Sequence, residues 1–333
     1  MEPQTAVSPA VPNDLPLPPK RSAIFFNDRG LRAGWRLLIF AGILGGIFGG
    51  FYFVALALQQ LGQRAGSPPA SPQPTGYFLP IIQIIGELLT FLIVLLVTWI
   101  MSRIEHRKTG VYGLPLKKSA LSQFFTGYVL WGVLPLTVLL LVLRALHVFY
   151  FGKLGLHGSP VLYWGLLWGL AFLMVGFFEE FLFRGYALYT LADGIGFWPA
   201  AVILAVLFAC IHMANRGETR IGIVGTGFFA IFACATLWRT GNLWLAVGAH
   251  AGWDWAQSFL YGVNDSGFQT PGHLLNPQIA GPDWLSGGSV GPEGSVVALA
   301  LWGGMTIAFL ALYRNSRPAL VNTTTSETAT PAN

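Results

Sequence analysis

Residues 161–190 read VLYWGLLWGLAFLMVGFFEEFLFRGYALYT, a long apolar run that ends on Glu179-Glu180 with Arg184 four residues beyond. An apolar stretch of 18 or more residues reaches across about 30 Å of hydrocarbon. This one therefore predicts a membrane-spanning helix that carries ionisable groups in its interior. The whole chain has the same character. Of its 333 residues, 54% are hydrophobic and only 10% charged, with mean hydropathy +0.59, against about 25% charged in a soluble domain. The fold class predicted is all-α, a polytopic membrane protein.

Eight spans are predicted, near 35–61, 78–102, 122–150, 161–190, 197–213, 221–238, 242–262 and 295–313. Gly42, Gly46 and Gly50 recur every fourth residue in the first, a spacing that lets helix backbones pack closely. With eight spans, Lys and Arg divide unevenly between the two sides. Lys20, Arg21, Arg29, Arg32, Arg36, Arg103, Arg107, Lys108, Lys117, Lys118, Arg239, Arg314 and Arg317 fall on one side. Arg64, Arg144, Lys153, Arg216 and Arg220 fall on the other. Cytoplasmic loops carry the excess, so both termini are expected in the cytoplasm of a bacterial cell membrane.

The transmembrane domain is expected over 23–315, with its motif-bearing core at about 160–260. Residues 1–22 and 316–333 have the composition of disordered tails, and the first lacks the apolar segment of a signal peptide. Gly241-Asn242 predicts a tight turn between the sixth and seventh spans. The segment 263–294, rich in Gly, Pro, Asn and Asp, is expected to be a long extracytoplasmic loop, and loops of that length are more often functional or mobile than inert. The two cysteines, Cys210 and Cys234, lie in apolar spans and supply neither a disulfide framework nor a Cys-based zinc motif. The net charge of +5 records orientation in the membrane, not binding of nucleic acid. The lipid bilayer is the expected partner.

Ionisable side chains at membrane depth each cost about 2.5–3.5 kcal/mol at a span centre on insertion scales. Here they are Glu87, Glu179, Glu180, Arg184, His212, His250 and Asp254. On a helix, Glu180 and Arg184 stand at i and i+4, where a carboxylate meets a guanidinium, and their pairing would support the span. Glu179 is turned about 100° away and has no local cation. His250 and Asp254 also stand at i and i+4 and share a face. A common polar pocket is less costly than separate polar defects in hydrocarbon, so Glu179, His212, His250 and Asp254 are the candidate catalytic set. A desolvated glutamate suits a general base working near neutral pH, and imidazoles orient water, donate to an oxyanion or bind zinc. Glu179, His212 and His250 also match one type of open catalytic zinc site, so a glutamate-activated and a metal-bound water both remain open, although the H-E-x-x-H motif is absent.

Glu179-Glu180…Arg184, Phe208…His212 and His250…Asp254 fall in the order E-E-x-x-x-R, F-x-x-x-H and H-x-x-x-[N/D]. In this the chain resembles the type II CAAX prenyl protease and bacteriocin-processing (abortive-infection) family of intramembrane endopeptidases. The likeness covers about 160–260, and Arg239-Thr240-Gly241-Asn242-Leu243-Trp244 extends it. It implies hydrolysis of a peptide bond in a membrane-associated peptide or protein. Glu179 would activate water, His212 would hold it, and His250 and Asp254 would stabilise the oxyanion, with Glu180 and Arg184 in support. Many members carry Asn where this chain has Asp254, and an ionised Asp donates no hydrogen bond, so Asp254 would be protonated or would orient His250. Two other readings belong to different classes. Acids, Arg and His inside spans also mark proton-coupled transporters, which predicts internal symmetry that this sequence does not display. A non-catalytic membrane scaffold or immunity protein would keep the fold without the chemistry.

Overall fold

The computed structural model describes residues 24–27, 30–64 and 76–316. The expected tail at 1–22, and that at 316–333 except Ser316, lie outside the described residues. A short ribbon, β1 (Phe26–Asn27) paired antiparallel with β2 (Gly30–Leu31), leads into α1 (Ala33–Arg64). Then come α2 (Phe78–Ile104), α3 (Ala120–Thr126) and α4 (Leu134–Ala145), the last two joined by the π-helical turns Gly127–Val133 into one rod. Strand β3 (Phe149–Leu154) follows, then α5 (Ser159–Arg184), α6 (Tyr186–Ile195), α7 (Phe197–His212), α8 (Arg220–Thr240) and α9 (Trp244–Trp255). The π-helical segment Ala256–Leu260 prolongs α9, and β4 (Leu275–Ile279), α10 (Asp283–Ser286) and α11 (Val296–Leu312) complete the chain.

The fold is thus all-α apart from two small ribbons, and the protein is an integral membrane protein. Among the described residues, five helical stretches are long and apolar enough to cross a bilayer: Ala33–Leu61, Phe78–Ile104, Ala120–Ala145, Ser159–Ile195 and Arg220–Thr240. The other three of the eight expected spans also fold as helices, but shorter ones. They are α7 with 16 residues, α11 with 17, and α9 with 12 before its π-helical extension. The expected span at 161–190 is broken at Gly185, where a Cβ would lie 2.3 Å from the Phe181 carbonyl oxygen. No side chain fits there, so α5 ends on Arg184 and α6 sets off anew.

Helix α9 is the centre of the molecule, with Leu245 through Asp254 all buried. Its backbone lies directly against the α3–α4 rod. A Cβ at Gly248 would stand 2.1 Å from the Phe124 carbonyl oxygen, and one at Gly252 would stand 2.3 Å from that of Tyr128. The fit is mutual, since a Cβ at Gly127 would meet the Leu245 carbonyl oxygen at 2.1 Å. On its other side α9 meets α5, where Gly176 faces the Val247 carbonyl oxygen. Small residues permit this spacing, and it holds His250 and Asp254 between two neighbouring helices.

Helix ends are fixed by local chemistry. Thr219 caps α8 by accepting from the Gly222 N–H at 2.9 Å, as N-cap hydroxyls do. Gly241 closes α8 in the left-handed conformation, φ +70°, and the Asn242 carboxamide oxygen accepts from the Trp244 N–H at 3.1 Å to start α9. The expected Gly241-Asn242 turn is therefore present. Elsewhere, Arg36 of α1 pairs with Glu105 at 2.7 Å and Arg107 pairs with Asp193 of α6 at 2.7 Å, while Tyr186 donates to Glu105. This network ties α1, α2 and α6 together at one end.

The segment 263–294 is ordered. β4 pairs antiparallel with β3, Phe149 opposite Ile279. The Trp168 indole N–H of α5 donates to the Pro271 carbonyl oxygen at 2.9 Å. Ser258 lies in the middle of the α9 extension, and its hydroxyl donates to Asp265 Oδ2 at 2.9 Å. Gln257 donates from Nε2 to the Asn264 carbonyl oxygen at 2.7 Å and also to Glu293. The loop is so folded onto the extracytoplasmic end predicted for α9.

Candidate active site

Helix α5 presents Glu179 and Glu180 on different faces, and each meets different partners. Glu180 is fully buried. Its Oε1 accepts from Arg184 Nη1 at 3.3 Å and lies 2.9 Å from His250 Nδ1. The i,i+4 pair is therefore present, but one of its oxygens also serves α9. The Arg184 guanidinium is packed 4.5 Å over the Phe208 ring of α7, a cation–π contact that joins the pair to a third helix.

Glu179 turns instead to the two imidazoles. Its Oε2 lies 4.0 Å from His212 Nε2 and 3.7 Å from His250 Nε2, and Asp254 Oδ2 lies 3.5 Å from the same His250 nitrogen. All four candidate residues are thus brought to one place by α5, α7 and α9, with Glu180 and Arg184 behind them.

Hydrogen bonding sets the protons. His212 Nδ1 lies 2.8 Å from the Phe208 carbonyl oxygen. A carbonyl only accepts, so Nδ1 carries a proton, and Nε2 is turned to Glu179. His250 Nδ1 faces the Glu180 carboxylate, which is paired with Arg184, so Nδ1 is a donor here too. Nε2 of His250 then donates into the site only when the ring carries both protons.

The site opens into two adjoining hollows that share His212, His250, Asp254, Asp265 and Ser266. The larger has a volume of about 410 Å³ and reaches Glu179, then Glu87 and Gln83 of α2. The smaller, about 70 Å³, is walled by Phe208, Phe229, Trp253 and Trp302 and includes Glu293. The loop residues Asp265, Ser266, Gln269, Thr270 and Glu293 were not foreseen as part of the site. One signal was available, because 263–294 carries Asp265, Asp283 and Glu293 but no lysine or arginine. Burial pushes the Asp265 carboxyl up to about 6, and burial followed by the Asp265 charge pushes Glu293 well above the usual carboxylate range.

Glu179, His212 and His250 are chemically suited to zinc. In this arrangement, however, no group of three or more His, Cys, Asp or Glu converges on a common ion position among the described residues.

What these elements define is a helical membrane protein with a carboxylate–imidazole centre inside the apolar layer. Residues 160–256, the stretch that carries Glu179 through Asp254, match the family model described as type II CAAX prenyl endopeptidase Rce1-like. Over that stretch, less than a third of the chain, the protein is similar to the type II CAAX prenyl endopeptidases. No curated protein and no solved structure matches it.

Proposed function

We propose that this protein is an endopeptidase that hydrolyses a peptide bond in a membrane-associated peptide or protein, with Glu179 as the base that activates water. The observation that carries this reading is the position of Glu179 Oε2, 4.0 and 3.7 Å from the Nε2 atoms of His212 and His250 beside an open cleft. A water between Glu179 and His212 would donate one proton to each lone pair. Glu179 takes the first proton as the oxygen attacks the substrate carbonyl carbon. The developing oxyanion accepts from His250 Nε2–H, and the imidazolium charge is balanced by Glu180 through Nδ1. Glu179 then returns its proton to the leaving amine as the C–N bond breaks, giving a carboxylic acid and an amine. Asp254, whose Oδ2 lies 3.5 Å from His250 Nε2, places an acid beside the imidazolium where many members of the family carry Asn. The both-termini-cytoplasmic orientation is part of this reading and puts the loop 263–294 on the outer face.

The test is cleavage of internally quenched prenylated and unprenylated peptides by the detergent-purified protein, with Glu179→Gln as control. Cleavage lost in the variant supports the assignment, and equal cleavage in the variant overturns it. Solute flux that depends on Glu179 and on a proton gradient, with no cleavage, would return the transporter reading.

A further inference from the structure

The cleft's charge carries information about the substrate, on the reading that it is a protease site. Its larger hollow is bordered by four carboxylates from four segments: Glu87 on α2, Glu179 on α5, Asp254 on α9 and Asp265 on the loop. Glu293 lines the smaller hollow, where burial pushes its carboxyl well above the usual carboxylate range, and it is not counted in this charge. Among the described residues, no lysine or arginine lines either hollow. Of the two imidazoles, His250 is engaged at Nδ1 by Glu180 at 2.9 Å and His212 at Nδ1 by the Phe208 carbonyl oxygen at 2.8 Å, so the carboxylates outnumber them around the cleft.

We infer that the cleft selects a peptide with a cationic side chain beside the scissile bond, held between Glu87 and Asp265, and that it disfavours a free carboxylate at that place. A cleft lined by one sign of charge between low-dielectric walls focuses its field on the ligand, and like charge juxtaposed at a binding surface is strongly penalised. Gln83 of α2 and Gln269 and Thr270 of the loop, which line the same hollow, give such a side chain and the peptide backbone polar neighbours. The carboxyl of Asp265, pushed up to about 6 by burial, is ionised at neutral pH, where the selection acts. Glu87 and Asp265 lie outside the 160–256 stretch that matches the family model. Glu87 and Asp265 act here on substrate binding, separately from the water-activating group.

The experiment uses the full-length protein in detergent and three quenched peptides of one core sequence, with Lys, Gln or Glu after the scissile bond. The Lys peptide also carries either an amidated or a free C-terminus. Cleavage is read as kcat/KM in the wild type, Asp265→Asn and Glu87→Gln. Affinity of the same peptides, labelled, is read by fluorescence anisotropy on Glu179→Gln protein, alone and combined with Asp265→Asn. The expected result is a Lys-over-Glu preference of about tenfold or more, seen in binding as in cleavage, that falls towards unity in both single variants. Because each comparison is a ratio within one protein preparation, partial unfolding of a variant cancels. Cleavage without charge preference, or a preference unmoved in both variants, overturns the inference and leaves the protease reading intact. Charge-selective binding lost in Asp265→Asn but with no cleavage of any peptide supports the inference and counts against the protease reading instead. Binding and cleavage both blind to charge overturn the inference outright.

Discussion

Glu180 Oε1 accepts from Arg184 Nη1 at 3.3 Å while standing 2.9 Å from His250 Nδ1, so one buried oxygen couples the charged turn of α5 to the imidazole of α9. Replacing it should therefore harm two properties together. In Glu180→Gln the His250 ring loses its balancing charge and Arg184 is left as an uncompensated buried cation. Breaking a buried pair in this way typically costs about 3–5 kcal/mol. The expected outcome is a large drop in thermal midpoint in detergent along with loss of cleavage. A variant with unchanged melting would mean that Glu180 and Arg184 are not paired in the folded protein.

Glu179→Gln should behave differently. The carboxylate accepts no hydrogen bond from the backbone, and 22% of its side chain is exposed to the cleft, so little folding energy depends on it. Loss of a general base lowers turnover by about 10²–10⁴, and the melting curve should stay near that of the wild type. His212→Asn should lower kcat less severely, because an amide oxygen can still accept from the water. Paired measurements of melting and kcat on the three variants separate the supporting acid from the reacting one.

These contrasts show what the sequence disclosed and what it did not. Acids inside an apolar run are conspicuous, and the helical repeat alone assigns Glu179 and Glu180 to different faces. The i,i+4 partners Arg184 and Asp254 follow from the same geometry. The bond from Glu180 to His250 crosses 70 positions and is a tertiary fact with no local signature. The π-helical turns at Gly127–Val133 and Ala256–Leu260 leave no mark on an apolar sequence, yet the second carries Gln257 and Ser258 to the loop. The span count was weakest because hydropathy marks a helix as apolar, not as long. α7 and α11 are apolar but shorter than the five stretches long enough to reach across, among the described residues. Asp265 and Glu293 escaped notice because polar residues in a Gly- and Pro-rich segment have no periodicity to reveal which of them turn inward.

Metal chelation provides a separate check on the water. If Glu179 itself activates the water, activity in detergent should persist after treatment with a strong zinc chelator followed by desalting. Loss on chelation with recovery on adding zinc would show that the three side chains draw together around an ion. Glu179 would then be a ligand and not a base.

The loop acids make stability depend on pH with a definite sign. Asp265 is raised from 3.8 to about 6, and Glu293 is also raised, first by burial. A carboxyl with a raised folded-state pKa binds its proton more tightly in the folded protein, so its contribution is fully present at low pH. It is lost as pH rises from the unfolded value through the folded one. From these two groups, resistance of the 263–294 loop to limited proteolysis should fall as pH rises from about 4 through about 6. Glu293 extends the decline upwards. Asp265→Asn should flatten the lower part of that profile, and an identical slope in the variant would place Asp265 in water.

The backbone contact between α9 and the α3–α4 rod makes the sharpest prediction about how the site is positioned. A Cβ at Gly248 would lie 2.1 Å from the Phe124 carbonyl oxygen and 2.9 Å from the Tyr128 nitrogen. Both are backbone atoms with no flexible end to yield, so Gly248→Ala must push α9 away from the rod. Overpacking of this kind costs about 1–3 kcal/mol. The displacement also matters for chemistry, because His250 is two residues away and its Nδ1 must stay within hydrogen-bonding reach of Glu180. A shift of about 1 Å in a reacting group can cost about 10²-fold in rate. Gly248→Ala is therefore expected to lower the melting point modestly and kcat severely. Gly42→Ala in α1 is the control, since a Cβ there would meet nothing within 4 Å and should leave both values unchanged. If Gly248→Ala retained full kcat while melting earlier, the position of His250 would depend on its bond to Glu180 and not on the packing of α9 against the rod.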